Sequence, residues 1–265
     1  MSFALTWLPT VLESAGLKVA LVPGWELRGR AEMGPVRGVM CHHTAGPRQG
    51  NMPSLRTLVE GRGDLPGPLS QLGLGRDGTY YVIAAGRCNH AGTGSWQGLT
   101  GGNTHFIGIE AENTGLADDT PWPAVQIDAY RRGVAAILTH IERSSVFCAG
   151  HKEYALPRGR KNDPSFDMEA FRQAVAAIMN GTTPRPALIP SMEFEAPAGL
   201  ATARPTLRRG AVGEFVKLVQ HRCGLKTDSW FGPVTEASVR AFQRSRGLVP
   251  DGIVGPKTWT AFDAV

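Results

Sequence analysis

Cysteine is scarce in this chain and poorly spaced for cross-linking: 265 residues hold four, Cys41, Cys88, Cys148 and Cys223, with no CxxC pair among them. That spacing excludes a disulfide framework and a four-thiolate zinc site, and leaves reduced, buried thiols as the expectation. Long apolar runs are missing too. No stretch approaches the roughly 18 residues that a spanning helix needs, so stable membrane insertion is not expected. The apolar positions of the first 22 residues are interrupted by Pro9, Glu13 and Lys18, without a basic start or a small-residue cleavage site, and are not expected to act as a signal peptide. The Gly-rich stretch 92–98 lacks the Gly-Lys-Ser/Thr ending of a phosphate-binding loop and reads instead as the rim of a cleft, where Trp96 could stack on a sugar. Charge is sparse, at 19% of residues with a net of +5. From residue 206 onward nine Lys or Arg stand against five Asp or Glu, a net of +4, which leaves +1 for everything before. A small basic tail suits an anionic partner such as a cell wall or a nucleic acid.

What is present suffices for a large core, with 42% of residues hydrophobic. Short apolar segments rich in β-branched or aromatic residues predict strands over 36–43, 79–84, 106–111 and 145–148. Helical spacing joins Tyr130, Val134, Ile137, Leu138 and Ile141, and again Phe171, Val175 and Ile178 behind a capping Asp167. Residues 1–180 are therefore expected to form an α/β domain with a mixed central sheet flanked by helices. Residues 181–205 carry Pro184, Pro186, Pro190, Pro197 and Pro205 with no sustained periodicity, and read as a semi-rigid linker.

Residues 206–265 contain an internal repeat. Gly224-Leu225-x-x-Asp228-x-x-x-Gly232-Pro233-x-Thr235 recurs 23 positions later as Gly247-Leu248-x-x-Asp251-x-x-x-Gly255-Pro256-x-Thr258. Each Gly-Pro suits a tight turn entering a helix, because proline fixes φ and is tolerated in the first helical turn. With Val216, Val219 and Gln220, and Val239, Phe242 and Gln243, at helical spacing, the tail reads as a small all-α module. Its aromatics Trp230, Phe231, Phe242 and Trp259 fall at positions expected to be core. That argues against an exposed stacking platform for nucleic acid. The repeat, together with Leu207-Arg208-x-Gly210 and Asp251-Gly252-x-Val254-Gly255-Pro256-x-Thr258-Trp259, resembles the peptidoglycan-binding domains found at the ends of cell-wall hydrolases, which implies tethering to the wall.

In the first domain, two imidazoles and a carboxylate stand out: His42-His43-Thr44, and Gly150-His151 followed twelve positions after the histidine by Asp163, beside Lys161. Three protein ligands that leave a fourth tetrahedral position open form the inventory of a catalytic zinc site. Successive strand residues face opposite ways, so at most one of His42 and His43 can be a ligand. Glu110 and Glu112 lie on one face of the strand 106–111 or its continuation. Either could act on a metal-bound water. Lys161 could stabilise the oxyanion of an attacked carbonyl.

Taken together, Val39-Met40-Cys41-His42-His43-Thr44-Ala45, Arg76-Asp77-Gly78-Thr79, His90-Ala91-Gly92, Ile107-Gly108-Ile109-Glu110 and Gly150-His151 … Gly159-Arg160-Lys161-Asn162-Asp163-Pro164 resemble the zinc-dependent N-acetylmuramoyl-L-alanine amidases related to peptidoglycan recognition proteins. The resemblance implies His42, His151 and Asp163 as ligands of Zn2+, Glu110 as the base, Lys161 as the transition-state stabiliser and His90 as a substrate-cleft residue, with His43 in the core or behind the site. Many relatives have Cys where Asp163 stands, and the segment between His151 and Asp163 is somewhat longer than in the bacterial cytoplasmic members. The implied reaction is cleavage of the amide between N-acetylmuramic acid and the L-alanine of the stem peptide. With a wall-binding tail, the chain is similar to bacteriophage endolysins, and its Ala/Arg/Gly-rich composition to those of actinobacterial phages. The expected partner is bacterial peptidoglycan, met as a monomer after release from the host cytoplasm. The rival expectation is a non-catalytic peptidoglycan-recognition protein.

Overall fold

The computed structural model describes residues 3–182 and 204–264. The chain divides into two compact units, Met1–Thr183 and Pro184–Val265. Most of the linker expected over 181–205 lies outside the described residues.

The first unit runs α1 (Leu8–Ser14), β1 (Lys18–Leu21), β2 (Gly38–His43), α2 (Leu55–Glu60), a small hairpin of β3 (Gly61–Arg62) and β4 (Leu65–Pro66), β5 (Leu72–Leu74), β6 (Thr79–Val82), α3 (Gly102–His105), β7 (Phe106–Ala111), α4 (Ala124–His140), β8 (Cys148–Gly150), α5 (His151–Tyr154) and α6 (Met168–Met179). Six strands form one mixed sheet in the order β1-β6-β5-β7-β2-β8. Only the β5–β6 pair is antiparallel. Every residue of β2 is buried, as expected of a strand covered on both faces. One face sends Val39, Cys41, Ile107 and Ile109 against Tyr130, Val134 and Phe171 of α4 and α6. The other places Met40, Phe106, Ala149 and Tyr154 in a smaller cluster.

The expected helices are present, and Asp167 caps α6 by accepting hydrogen bonds from the backbone N–H groups of Glu169 and Ala170. The strand boundaries move for identifiable reasons. The strand expected over 79–84 stops at Val82 because the N–H groups of Ile83 and Ala84 both turn to the carbonyl of Gln71. The strand expected over 145–148 starts only at Cys148, opposite Val39. Residues Ser145–Phe147 form a 3-10 turn instead, since β2 begins at Gly38 and offers almost no ladder beyond that point. Strands β1 and β5, of four and three residues, are too short to show a periodicity.

The second unit contains α7 (Glu214–Arg222), α8 (Pro233–Ser245) and α9 (Pro256–Asp263), the last two each entered through Gly-Pro. The repeat in sequence is a repeat in hydrogen bonding. Gln220 Nε2 donates to Asp228 Oδ1, the Trp230 carbonyl and Thr235 Oγ1 at 2.6, 2.9 and 3.1 Å. Gln243 Nε2 donates to Asp251 Oδ1, the Ile253 carbonyl and Thr258 Oγ1 at 2.8, 3.0 and 3.1 Å. Each buried amide thus locks a turn onto the preceding helix. Phe231 and Trp259 are core, and Phe242 packs against it. Trp230 is not core: it is 36% exposed, because the latch holds its backbone carbonyl while Phe231 takes the inward position.

Candidate metal centre

The centre lies at the carboxyl ends of β2 and β7. Their parallel register sets His42 beside Glu110, so the two side chains share a sheet face. His43 takes the opposite face, where its Nδ1 accepts the Ser165 N–H at 3.2 Å; burial holds its pKa below the usual imidazole value. Strand alternation therefore resolves to His42 as the inward residue. Cys41 and Cys148 lie with the α4/α6 core, their sulfurs 3.5 Å apart, away from His42.

His151 enters from the other neighbour of β2, as the first residue of α5 after β8. The following loop is folded back by two bonds from one residue. The Lys152 N–H donates to the Asp163 carbonyl at 2.6 Å, and its Nζ donates to the Phe166 carbonyl at 2.7 Å. Asp163 Oδ2 is thereby placed 2.9 Å from His42 Nδ1 and 3.0 Å from His151 Nδ1, and the two Nδ1 atoms are 3.1 Å apart. All three residues are buried.

Hydrogen bonds on the far side of each ring fix the tautomers. His151 Nε2 lies 2.9 Å from the Ala91 carbonyl, which can only accept, so Nε2 carries the proton. His90 Nε2 likewise donates to the Phe106 carbonyl at 3.2 Å, leaving His90 Nδ1 to accept from His42 Nε2 at 3.1 Å. With the far nitrogens holding the protons, the neutral forms of His42 and His151 would point bare Nδ1 lone pairs at a carboxylate oxygen. Three lone pairs facing one another without a proton repel, and a cation relieves that repulsion. Burial, then the repulsion that a protonated His151 would exert, lowers the His42 pKa to about 4. Burial alone would raise the Asp163 pKa, but a proton on either imidazole would be donated to the carboxylate, and that pairing outweighs burial and holds the carboxyl well below its usual range. Two neutral imidazoles and a carboxylate fit a borderline-soft ion such as zinc.

Glu110 Oε1 is 3.9 Å from His42 Nδ1, and its buried Oε2 has no hydrogen-bond partner. Burial, followed by the charge of Asp163, pushes its pKa to about 8. Glu112 is different. Its carboxylate accepts from Thr44 Oγ1 at 2.8 Å, Ser54 Oγ at 2.9 Å and the Ser54 N–H at 3.0 Å. A carboxylate so occupied holds the chain together, whereas Glu110 keeps an oxygen available for chemistry. Lys161 is half-buried, its positive charge lowers the pKa of both His42 and Glu110, and it makes no ion pair among the described residues.

Of the two residues expected at the substrate, His90 is buried and Trp96 half-buried. His90 is buried behind His42, where it holds the His42 ring by the bond just described. It fits there because a Cβ on Gly108 would lie 2.8 Å from the His90 ring. Trp96 is half-buried, with its indole N–H donated to the Val146 carbonyl at 2.8 Å and the Arg172 guanidinium over its ring at 5.1 Å. Its segment is tied to the His151 side by the Ser95 N–H bond to the Tyr154 carbonyl and the Leu156 N–H bond to the Thr93 carbonyl. The sequence also left Tyr130 without a chemical role. Its hydroxyl accepts the His42 N–H at 2.9 Å and donates to the Ile109 carbonyl at 2.9 Å, bracing β2 against β7 at His42. A tyrosine among aliphatic residues on a helix's core face was the available signal, since a buried hydroxyl must find a partner.

The profile of a peptidoglycan binding domain matches residues 214–262. Among curated proteins, the chain is 42% identical over 72 residues to an uncharacterized protein in the bpoA1 3' region of Kitasatospora aureofaciens, covering 24% of this chain and 61% of that one. It is 35% identical over 94 residues to the zinc D-Ala-D-Ala carboxypeptidase of Streptomyces albus G, covering 32% and 37%. The chain thus spans less than two thirds of these relatives. A crystal structure of an AmpD derivative superposes with a TM-score of 0.47 at 24% identity, covering 66% of this chain and 99% of that one. The profile of the N-acetylmuramoyl-L-alanine amidases matches residues 32–166, a span that runs from before β2 to just past Asp163, and the chain belongs to that family.

Proposed function

We propose that the first unit hydrolyses the amide between N-acetylmuramic acid and L-alanine in peptidoglycan with a zinc ion held by His42, His151 and Asp163. The observation that carries this reading is the convergence of three lone pairs beside a carboxylate with a free oxygen. When bound, zinc supplies Lewis acidity and lowers the pKa of a coordinated water toward about 7. Glu110, whose buried Oε2 has no hydrogen-bond partner, takes a proton from the attacking water and passes it to the leaving amine. Lys161 faces the negative charge that develops on the carbonyl oxygen. His90 and the Ala91 carbonyl hold the two ligand rings from behind.

The tail binds the wall and raises the concentration of the first unit at its polymer. The chain acts as an endolysin: a phage product made in the host cytoplasm, monomeric, and reaching the wall upon release to lyse the cell. Purified peptidoglycan incubated with the protein should yield new L-alanine amino termini without new reducing sugars, and none after zinc chelation. Binding without new termini would favour the non-catalytic recognition reading.

A further inference from the structure

Apart from the metal centre, the most distinctive surface lies in the tail, where the internal repeat provides its own control. The latch residues are the same in both copies: Gln220 and Gln243, Asp228 and Asp251, Thr235 and Thr258, with Gly-Pro at each helix entry. The scaffold requires these. At three other positions of the turn the copies diverge. The second has Gly252, Ile253 and Lys257; the first has Ser229, Trp230 and Val234.

Each divergence runs against what folding alone would favour. Ser229 and Gly252 both have left-handed backbone, with φ of +64° and +75°, a conformation that suits glycine and is disfavoured for serine. Trp230 is 36% exposed and Val234 68% exposed, where the second copy has a half-buried isoleucine and a lysine. Val212, 61% exposed, pairs with Trp230 across an isolated bridge and extends the apolar surface. The Trp230 ring lies so close over Gly232 that a Cβ there would fall 2.4 Å from it, whereas a Cβ on Gly255 would meet nothing within 4 Å. One copy therefore carries a supported, outward aromatic on a turn with a strained hydroxyl residue. Its sibling shows that the latch does not need it.

Resting on the reading that the tail binds peptidoglycan, we infer that the Ser229–Trp230 turn, with Val212 and Val234, is the surface by which it grips the glycan strand. The turn falls inside the span that matches the peptidoglycan binding domain. A pyranose ring offers an apolar face to an indole and hydroxyls to a serine, and an aromatic held with one face supported loses little conformational freedom on binding. The second copy serves as scaffold.

The second copy also supplies the test. The variant Trp230→Ile/Val234→Lys writes its surface into the first copy of the full-length protein. Sedimentation with purified sacculi should show at least a tenfold loss of affinity, with the thermal unfolding midpoint unchanged and cleavage of a soluble muropeptide unchanged. The added lysine can only increase attraction to an anionic wall, so a loss reports the apolar surface. Ser229→Gly should raise the unfolding midpoint while weakening binding. Glycan strands stripped of stem peptides should compete with sacculi for the wild-type protein, and free stem peptides should not. Undiminished binding by the double variant, or competition by stem peptides alone, would overturn the inference. Wild-type protein that binds sacculi through Trp230 yet releases no amino termini would leave this surface standing and remove the amidase reading.

Discussion

At the scale of single residues, the centre is defined by which polar atoms are occupied. Glu112 is saturated and Glu110 is not, so Glu110→Gln, which keeps the volume and removes the titratable carboxylate, should lower turnover by about 10²–10⁴-fold. Zinc content, read by elemental analysis, and the circular dichroism spectrum should not change. His90 acts through His42: His90→Ala removes the acceptor of the His42 Nε2 proton and should weaken zinc binding by about 10–100-fold. Competition with a chromogenic chelator would measure it, and wild-type affinity would return His90 to the cleft. The ligand candidates were legible in the sequence because few residue types bind zinc and their motifs occur in order. The choice between Glu110 and Glu112 was not, because it depends on Thr44 and Ser54, which reach Glu112 from 68 and 58 positions away. The place of His90 was hidden for a similar reason: it rests on a missing side chain at Gly108, visible only when the strand and the imidazole are together.

Among the elements, β2 is the keystone, paired with β7 on one side and β8 on the other, and Tyr130 of α4 braces it at His42. Tyr130→Phe keeps the ring in its aromatic cluster with Phe166 and Phe171 but leaves the His42 N–H and the Ile109 carbonyl without this partner. The expected cost is about 1–3 kcal/mol in denaturant unfolding, with weakened zinc binding because the ligand strand loosens. Helices α4 and α6 were legible from their periodicity, since three turns repeat the 3.6-residue pattern often enough to register. Strands β1 and β5 were not, and the start of β8 was placed three residues early, because the limits of a short strand are set by where its neighbour can pair. In the tail, the repeat announced the turns, yet gave no hint that Trp230 faces out. Both copies satisfy the same backbone rule there, and only burial distinguishes them.

For the molecule as a whole, the buried titratable groups set an opposition that pH can read. His42, His43 and His90 have pKa values below the usual 6.5, so the unfolded chain binds protons more readily and stability falls as pH drops below 6.5. Glu110 runs the other way, raised from 4.5 to about 8; its contribution is full below pH 4.5 and is lost as pH rises toward 8. Three groups oppose one on the acid side, and Glu110 acts without them above. Chelator-treated protein should therefore unfold at its highest temperature near pH 6.5, and a midpoint rising steadily to pH 8 would contradict the assignment. The spacing of the ligands has one more consequence. His42 and Asp163 meet across 121 positions of chain, with His90, Glu110 and His151 all supplied between them. During synthesis the sheet can close on β8 at Cys148–Gly150 while the proposed ligand set still lacks Asp163, so a nascent chain reaches its fold before it can complete the metal centre.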